Sequence, residues 1–261
     1  MIRRLPPIVV LAVTAAILVA ACNGTASAPP LTDPTEIVTA ALKATEGAKS
    51  VHVDITVDGK ATVSMPGAGG IALPVNLTGT TASADIDLAK GAAKATFAVP
   101  GLLNFGGQLI AVDGKVYTKT TLTGPLYQVS EVSSAPVDPS NVGGLLDNLG
   151  DILLKEGVTL VKGDDVACGS KQCYTVSADL TADQLGTTGN GALAGLPIDL
   201  TGATLKLTVR VEKDLPHHLA GVTAALTLPD GSAVTAELTA SKWDEPVSVS
   251  APPADQVKPA S

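Results

Sequence analysis

Val51, Val53, Ile55 and Val57 alternate with His52, Asp54, Thr56 and Asp58, the period-two pattern of a strand with one buried and one wet face. Asp58-Gly59 follows as a hairpin signal. Further strands are predicted over residues 73–77, 82–88 and 93–99, and over 110–118, which contain Asp113-Gly114 as a second hairpin signal. Leu205, Leu207, Val209 and Val211 alternate with Lys206, Thr208 and Arg210. Residues 222–228 and 234–238 flank Asp230-Gly231 as a third hairpin, and 246–250 read as a short terminal strand.

The period changes in two places. Asp33-Pro34 offers an N-cap with proline at the first helical position. Behind it Ile37, Val38, Ala41, Leu42 and Ala48 recur on one face, and Gly47 limits the helix. Asp138-Pro139 repeats the start signal before a stripe of Leu145, Leu146, Leu149, Ile152 and Leu153, which ends before Gly157. Both helices are amphipathic and must lay their apolar faces on something. A third, short helix is predicted to start at Thr181, where Thr-Ala-Asp-Gln forms a weak cap.

The sum is about ten antiparallel strands with two principal helices, and hairpin turns favour a meander in which sequence neighbours pair. One face of such a sheet is polar and the other needs cover. Two helices cannot tile that many strands if the sheet is flat, so the sheet must curl around them. The curl can leave an apolar space between sheet and helices. The fold class is therefore α+β.

The N-terminus adds an address. Arg3 and Arg4 precede an apolar run over residues 8–21 broken only by Thr14, about 14 residues long, too short to span a bilayer but suited to a secretion signal. The run closes on Val19-Ala20-Ala21-Cys22, which resembles the bacterial lipobox. Cys22 is then the lipidated first residue of an exported protein, and two acyl chains would anchor it stably. The alternative is an ordinary secretion signal with an incidental cysteine. Residues 22–32, rich in Thr, Ser, Ala and Pro, read as a flexible tether. Residues 33–253 form one domain, and 254–261 a tail.

Removing the two leader arginines leaves 15 basic against 25 acidic side chains. That balance argues against nucleic acid and anionic head groups as electrostatic partners. Aromatic residues make up only 2% of the chain, so the core must be built from small and branched side chains. Cys168 and Cys173 in an exported chain are expected to form a disulfide worth about 2 kcal/mol of loop entropy. A zinc site recruiting His217 and His218 is the weighed alternative. His52 is placed on the polar strand face as a solvated residue, and His217-His218 as an exposed pair at a turn.

The motifs of common catalytic sites are absent. There is no G-x-S-x-G, H-E-x-x-H, phosphate-cradling glycine loop or S-x-x-K. Asp164-Asp165 and Asp85/Asp87 lack the spaced oxygen ligands of a calcium loop. The chain is therefore expected not to be an enzyme and to need no cofactor. Two apolar, glycine-rich stretches break the alternation, residues 97–107, with both phenylalanines, and 191–198. They read either as buried connection or strand core, or as a mobile apolar rim at the mouth of a lipid cavity.

Four segments in order resemble the mycobacterial LppX/LprA/LprF/LprG lipoprotein family. These are the opening helix leading into Ser50-Val51-His52-Val53; Val112-Asp113-Gly114-Lys115-Val116-Tyr117; Asp138-Pro139 before the leucine-rich helix; and Ser241-Lys242-Trp243-Asp244-Glu245-Pro246-Val247. The resemblance implies a strongly bent antiparallel half-barrel with helices in its concave face around an apolar cavity. It implies a non-catalytic carrier of acylated lipids or glycolipids across the cell envelope; apart from the resemblance, the chain is expected to be a monomer, anchored through Cys22 to the outer face of the cell membrane. The Cys168/Cys173 pair departs from the family's pattern. Val53, Ile55, Leu146, Leu149, Leu153, Leu207, Val209 and Leu226 are the expected cavity lining, with an acylated lipid or glycolipid as ligand. The rival is a structural or sensory surface lipoprotein with a filled core and no ligand.

Overall fold

A computed structural model describes residues 30–64, 72–131, 142–186 and 201–258. The leader, Cys22, Asp138-Pro139 and residues 191–198 lie outside the described residues. Thirteen strands form one sheet among those described. They are β1 (Ser50–Ser64), β2 (Ala72–Asn76), β3 (Thr80–Asp87), β4 (Ala92–Val99), β5 (Phe105–Val112), β6 (Lys115–Thr120) and β7 (Gln128–Glu131), then β8 (Val161–Lys162), β9 (Val166–Cys168), β10 (Lys171–Thr181), β11 (Thr204–Glu212), β12 (Leu219–Thr227) and β13 (Ala233–Ser241). Three helices accompany them: α1 (Pro34–Glu46), α2 (Val142–Leu153) and α3 (Ala182–Gly186).

Two of the helix signals act as read. The Asp33 carboxylate accepts the Glu36 amide at 2.9 Å, with Pro34 at the first position. At α3 the Gln184 side chain reaches back to accept the Thr181 amide at 2.8 Å, one half of a capping box. Asp113 and Gly114, at φ 52° and 73°, turn β5 into β6, the double left-handed geometry that the tightest hairpins need.

Strand order is β7-β6-β5-β4-β3-β1-β13-β12-β11-β10-β8, with β2 beside β1 and β9 beside β10. All these pairings are antiparallel. The expected single meander is thus corrected. Two meanders exist, and the first and last strands of the chain join them at the centre. The sheet is curled and unclosed, with its edges at β7 and β8.

Two further expectations are corrected. Asp58-Gly59 makes no hairpin, because β1 runs through it to Ser64. Gly59 instead sits at φ 126°, where a Cβ would overlap the Ala233 carbonyl oxygen of β13; the glycine serves close approach between strands. There β1 changes partner, pairing with β3 over Ser50–Val57 and with β2 over Lys60–Ser64. Residues 246–250 form no strand. Beyond them the chain docks through Tyr127, whose amide donates to the Gln256 carbonyl at 2.8 Å and whose carbonyl accepts the Lys258 amide at 2.8 Å.

Facing residues of neighbouring strands share a face, so register carries one apolar row across the sheet. Val176, Val209, Val222, Leu238, Ile55, Ala82, Phe97 and Gly107 follow one another from β10 to β5. Ile37, Val38 and Ala41 of α1 pack on the β10–β12 end of this inner face together with Leu153 of α2. Gly150 lets the helices meet: a Cβ there would come within 2.9 Å of Leu42 Cδ1.

Candidate ligand-binding face

The inner face is packed differently in its two halves. Under α1, Leu205, Leu207, Val209 and Val211 of β11 and Val176, Ala178 and Leu180 of β10 are buried. Val38, Ala41, Leu42, Leu149, Leu153, Val209 and Leu219 surround a void of about 10 Å³, at the lower limit for one water molecule. Around these residues the helices and the sheet are closely packed.

A second cluster covers the other half, with Val51, Val53, Ile86, Ala93 and Ala240 at its centre. Burial falls away along each strand from there. Val51 is 1% exposed and Val53 8%, while Ile55 and Val57 are only half-buried. Ala82, Ala84, Ala95, Leu109 and Leu238 are likewise half-buried. Cross-strand pairing sets Val53 beside Ala84, Ala84 beside Ala95, and Ala95 beside Leu109. Alanine there keeps the sheet's own side chains short, so little of the space above the face is filled from below. Phe97 and Phe105 close the row, half-buried and 5.5 Å apart between ring centroids.

The expected lining residues therefore divide. Val53 and Ile55 lie in or against the second cluster. Leu153, Leu207 and Val209 are buried in the first, and Leu149 and Leu226 pack against it half-buried. Leu146 belongs to α2, but its side chain lies outside the described residues. Ala82, Ala84, Ala95, Leu109 and Leu238 were missed. The signal that finds them is register: once β1 is placed, its antiparallel partners inherit its face.

The two phenylalanines belong to strands rather than to a loop. The turn between them exposes Leu102 and Leu103, so residues 97–107 combine strand core with an apolar tip.

The expectation of an exposed His217-His218 pair is corrected. Both are buried, at 6% and 7% exposure, because the turn folds back onto the C-terminal segment. His217 Nδ1 lies 3.1 Å from the Glu212 carbonyl oxygen. His218 stacks on Trp243, and Glu212 and Asp244 lie 4.0 and 3.7 Å from its ring nitrogens. Burial holds the His218 pKa below the ordinary value of 6.5, against the two carboxylates, which act in the other direction with Lys171 opposing them. His52 stays on the outer face, with Asp85 at 2.6 Å and Asp54 at 3.2 Å.

Cys168 and Cys173 form the expected disulfide, with Cα atoms 5.9 Å apart. Their thiolates are thereby withdrawn from the weighed zinc site. No group of three or more His, Cys, Asp or Glu suited to a metal occurs among the described residues. Asp165 lies 2.7 Å from Lys213 and 3.1 Å from Lys162; the Lys213 hydrogen bond holds its carboxyl below the usual range. These are ion pairs of the outer surface. No described helix is long and apolar enough to cross a membrane.

The model of the LppX_LprAFG lipoprotein family matches residues 33–249. The crystal structure of LprF from Mycobacterium bovis superposes with a TM-score of 0.57 at 19% identity, covering 85% of this chain and 98% of that one. LppX from Mycobacterium tuberculosis superposes with a TM-score of 0.51 at 22% identity, covering 84% and 100%. Among curated proteins no sequence match is found. At such identities the superpositions establish a shared fold.

Proposed function

Because the chain belongs to the LppX/LprAFG lipoprotein family, we propose that it is a non-catalytic envelope lipoprotein that binds and carries acylated lipids or glycolipids on the inner face of its sheet. The observation that supports this reading is the half-buried apolar surface of Ile55, Ala82, Ala84, Ala95, Phe97, Leu109 and Leu238, continuous through register. Alkyl chains laid there would leave water at roughly 0.8 kcal/mol per methylene, so about ten methylenes contribute ~8 kcal/mol before ordering costs. The ligand's head group would stay at the rim, and no group on the inner face needs to react. Cys22 would carry the acyl anchor and residues 22–32 the tether, holding the domain at the outer face of the cell membrane as a monomer.

The filled-core alternative draws on the void of about 10 Å³ under α1. That void lies between α1, α2 and β11, and does not speak for the β1–β5 half.

Organic extracts of the purified, non-acylated protein, analysed by mass spectrometry, separate the two readings. Carriage predicts co-purifying acyl lipid and binding of a fluorescent fatty-acid probe. Ala84→Trp, which fills the face between Val53 and Ala95, is expected to weaken probe binding at least ~10-fold. Absence of both lipid and probe binding in the unsubstituted protein would establish the filled-core reading.

A further inference from the structure

Three turns meet at one end of the β2–β6 half. Residues 77–79 join β2 to β3, 100–104 join β4 to β5, and 121–125 follow β6. They are close-packed. A Cβ on Gly101 would overlap the Asn76 carbonyl oxygen, and the Thr121 amide donates to the Gly106 carbonyl at 2.9 Å.

Their side chains are unusual for turns. Leu103 is 95% exposed, Leu122 81% and Leu102 49%. Leu103 also holds φ 52°, a left-handed conformation that a bulky residue adopts at a cost and that Asn or Gly would adopt readily. A leucine that is both strained and solvent-exposed contributes nothing to the fold that a polar residue would not supply better.

Charge gives the second, independent observation. No charged residue lies between Lys60 and Asp85, between Lys94 and Asp113, or between Lys119 and Glu131. All three turns fall inside these intervals. The opposite end of the same strands carries Asp87 with Lys90, then Asp113 with Lys115. This half of the sheet is therefore charged at one end and leucine-tipped at the other, where the 100–104 and 121–125 turns carry no charge of their own and Asp58 stands back at the 77–79 turn, accepting the Gly79 amide at 3.0 Å. A surface entering hydrocarbon needs that combination, since leucine is favourable there and an ionised side chain is costly.

We infer that Leu102, Leu103 and Leu122 form a bilayer-contact site that inserts into the membrane surface by apolar burial rather than by charge. With a net formal charge of −8, the chain is repelled by anionic surfaces, so the matching surface is zwitterionic. The site is continuous with the candidate ligand face. Phe105 leaves the Leu102–Leu103 turn directly, and its ring stands 5.5 Å from Phe97. An acyl chain lifted from a bilayer at the tips would meet these two rings before the alanine row. Delivery of a ligand along this route rests on the carrier reading; adsorption to the bilayer does not.

The test uses the mature chain from residue 22 with Cys22→Ser, so that no acyl anchor contributes, and phosphatidylcholine vesicles in co-sedimentation. Binding is expected, unchanged from low to high salt. Leu103→Asn with Leu122→Ser should reduce it at least ~10-fold, the effect of withdrawing two leucines from hydrocarbon. Leu103→Asn alone should weaken vesicle binding while raising thermal stability, because asparagine accepts the left-handed backbone; this opposite movement separates a contact residue from a structural one. Vesicle binding that is absent, abolished by salt, or equal in the double variant overturns the site. So does a change of oligomeric state in the double variant, which would assign the leucines to a second copy. The fatty-acid probe is read in parallel. Tip-dependent vesicle binding without probe uptake sinks the carrier reading and keeps the site; probe uptake without vesicle binding does the reverse.

Discussion

The imidazole of His218 lies on the indole of Trp243, with ring centroids 4.9 Å apart and planes 12° from parallel. The indole N–H donates to the Leu219 carbonyl at 3.0 Å, so one side chain holds both ends of a fold-back. Next to it the Asp244 carboxylate accepts the Lys49 amide at 2.7 Å. The Ser50 hydroxyl donates to the Glu245 carbonyl at 2.5 Å. Trp243 packs against both apolar clusters, making it the joint between the two halves of the inner face.

Trp243→Ala is therefore expected to cost about 3 kcal/mol, in the range for truncating a large aromatic in a packed site. Chemical denaturation should show the midpoint falling. Trp243→Phe keeps the ring but loses the hydrogen bond, and should recover most of the loss. Equal damage from both variants would place the importance in the indole N–H rather than in packing.

Stability should also depend on His218. Its pKa is depressed by burial, so the unfolded chain takes up the proton more readily than the folded one. The contribution is complete above the ordinary value of 6.5 and is lost as pH falls from there through the folded pKa, with a slope of at most ~1.4 kcal/mol per pH unit. Denaturation across this range should show that slope. His218→Gln should flatten it, and an unaltered slope in that variant would assign the proton to another group.

Gly59→Ala meets the Ala233 carbonyl and a backbone at φ 126° together. We expect a loss of at least about 2 kcal/mol, with amide protection falling first along the β1–β13 pairing. By contrast Gly114→Asn, at φ 73° with open space around it, should change stability little.

Replacing Cys168 and Cys173 by serine removes a short covalent loop across the β9–β10 hairpin. The expected cost is about 2 kcal/mol. Lipid-probe binding should persist, since neither cysteine lies on the β1–β5 face. Reduction of the unsubstituted protein should reproduce the same drop in thermal midpoint.

Alternation along β1 and β11 identified their buried faces, and Asp33-Pro34 and Asp113-Gly114 identified a helix start and a hairpin, because each of these signals acts within a few residues. Asp58-Gly59 misled for the same reason. The dipeptide permits a turn, but the choice to continue the strand is made by β13 across the sheet, where Gly59 faces Val234. His218 is covered by Trp243 and His217 lies beside Tyr174, both distant along the chain, and local polarity gives no hint of either. The alanine row of β3 and β4 was equally hard to see, since alanine scores weakly in any hydrophobic pattern and gains meaning only from its neighbours in register.

The central pairing sets His52 opposite Ser241 and Lys60 opposite Ala233. A chain threaded through a membrane channel amino end first would therefore deliver β1 long before its central partner. Each meander can form by local hairpins as it emerges, but the seam between them closes only when nearly the whole domain is across. Contacts so distant along the chain are slow to form, and the edge of β1 that pairs with β13 stays open until they do. The interval between emergence and closure is when this molecule is most exposed to aggregation and to proteolysis.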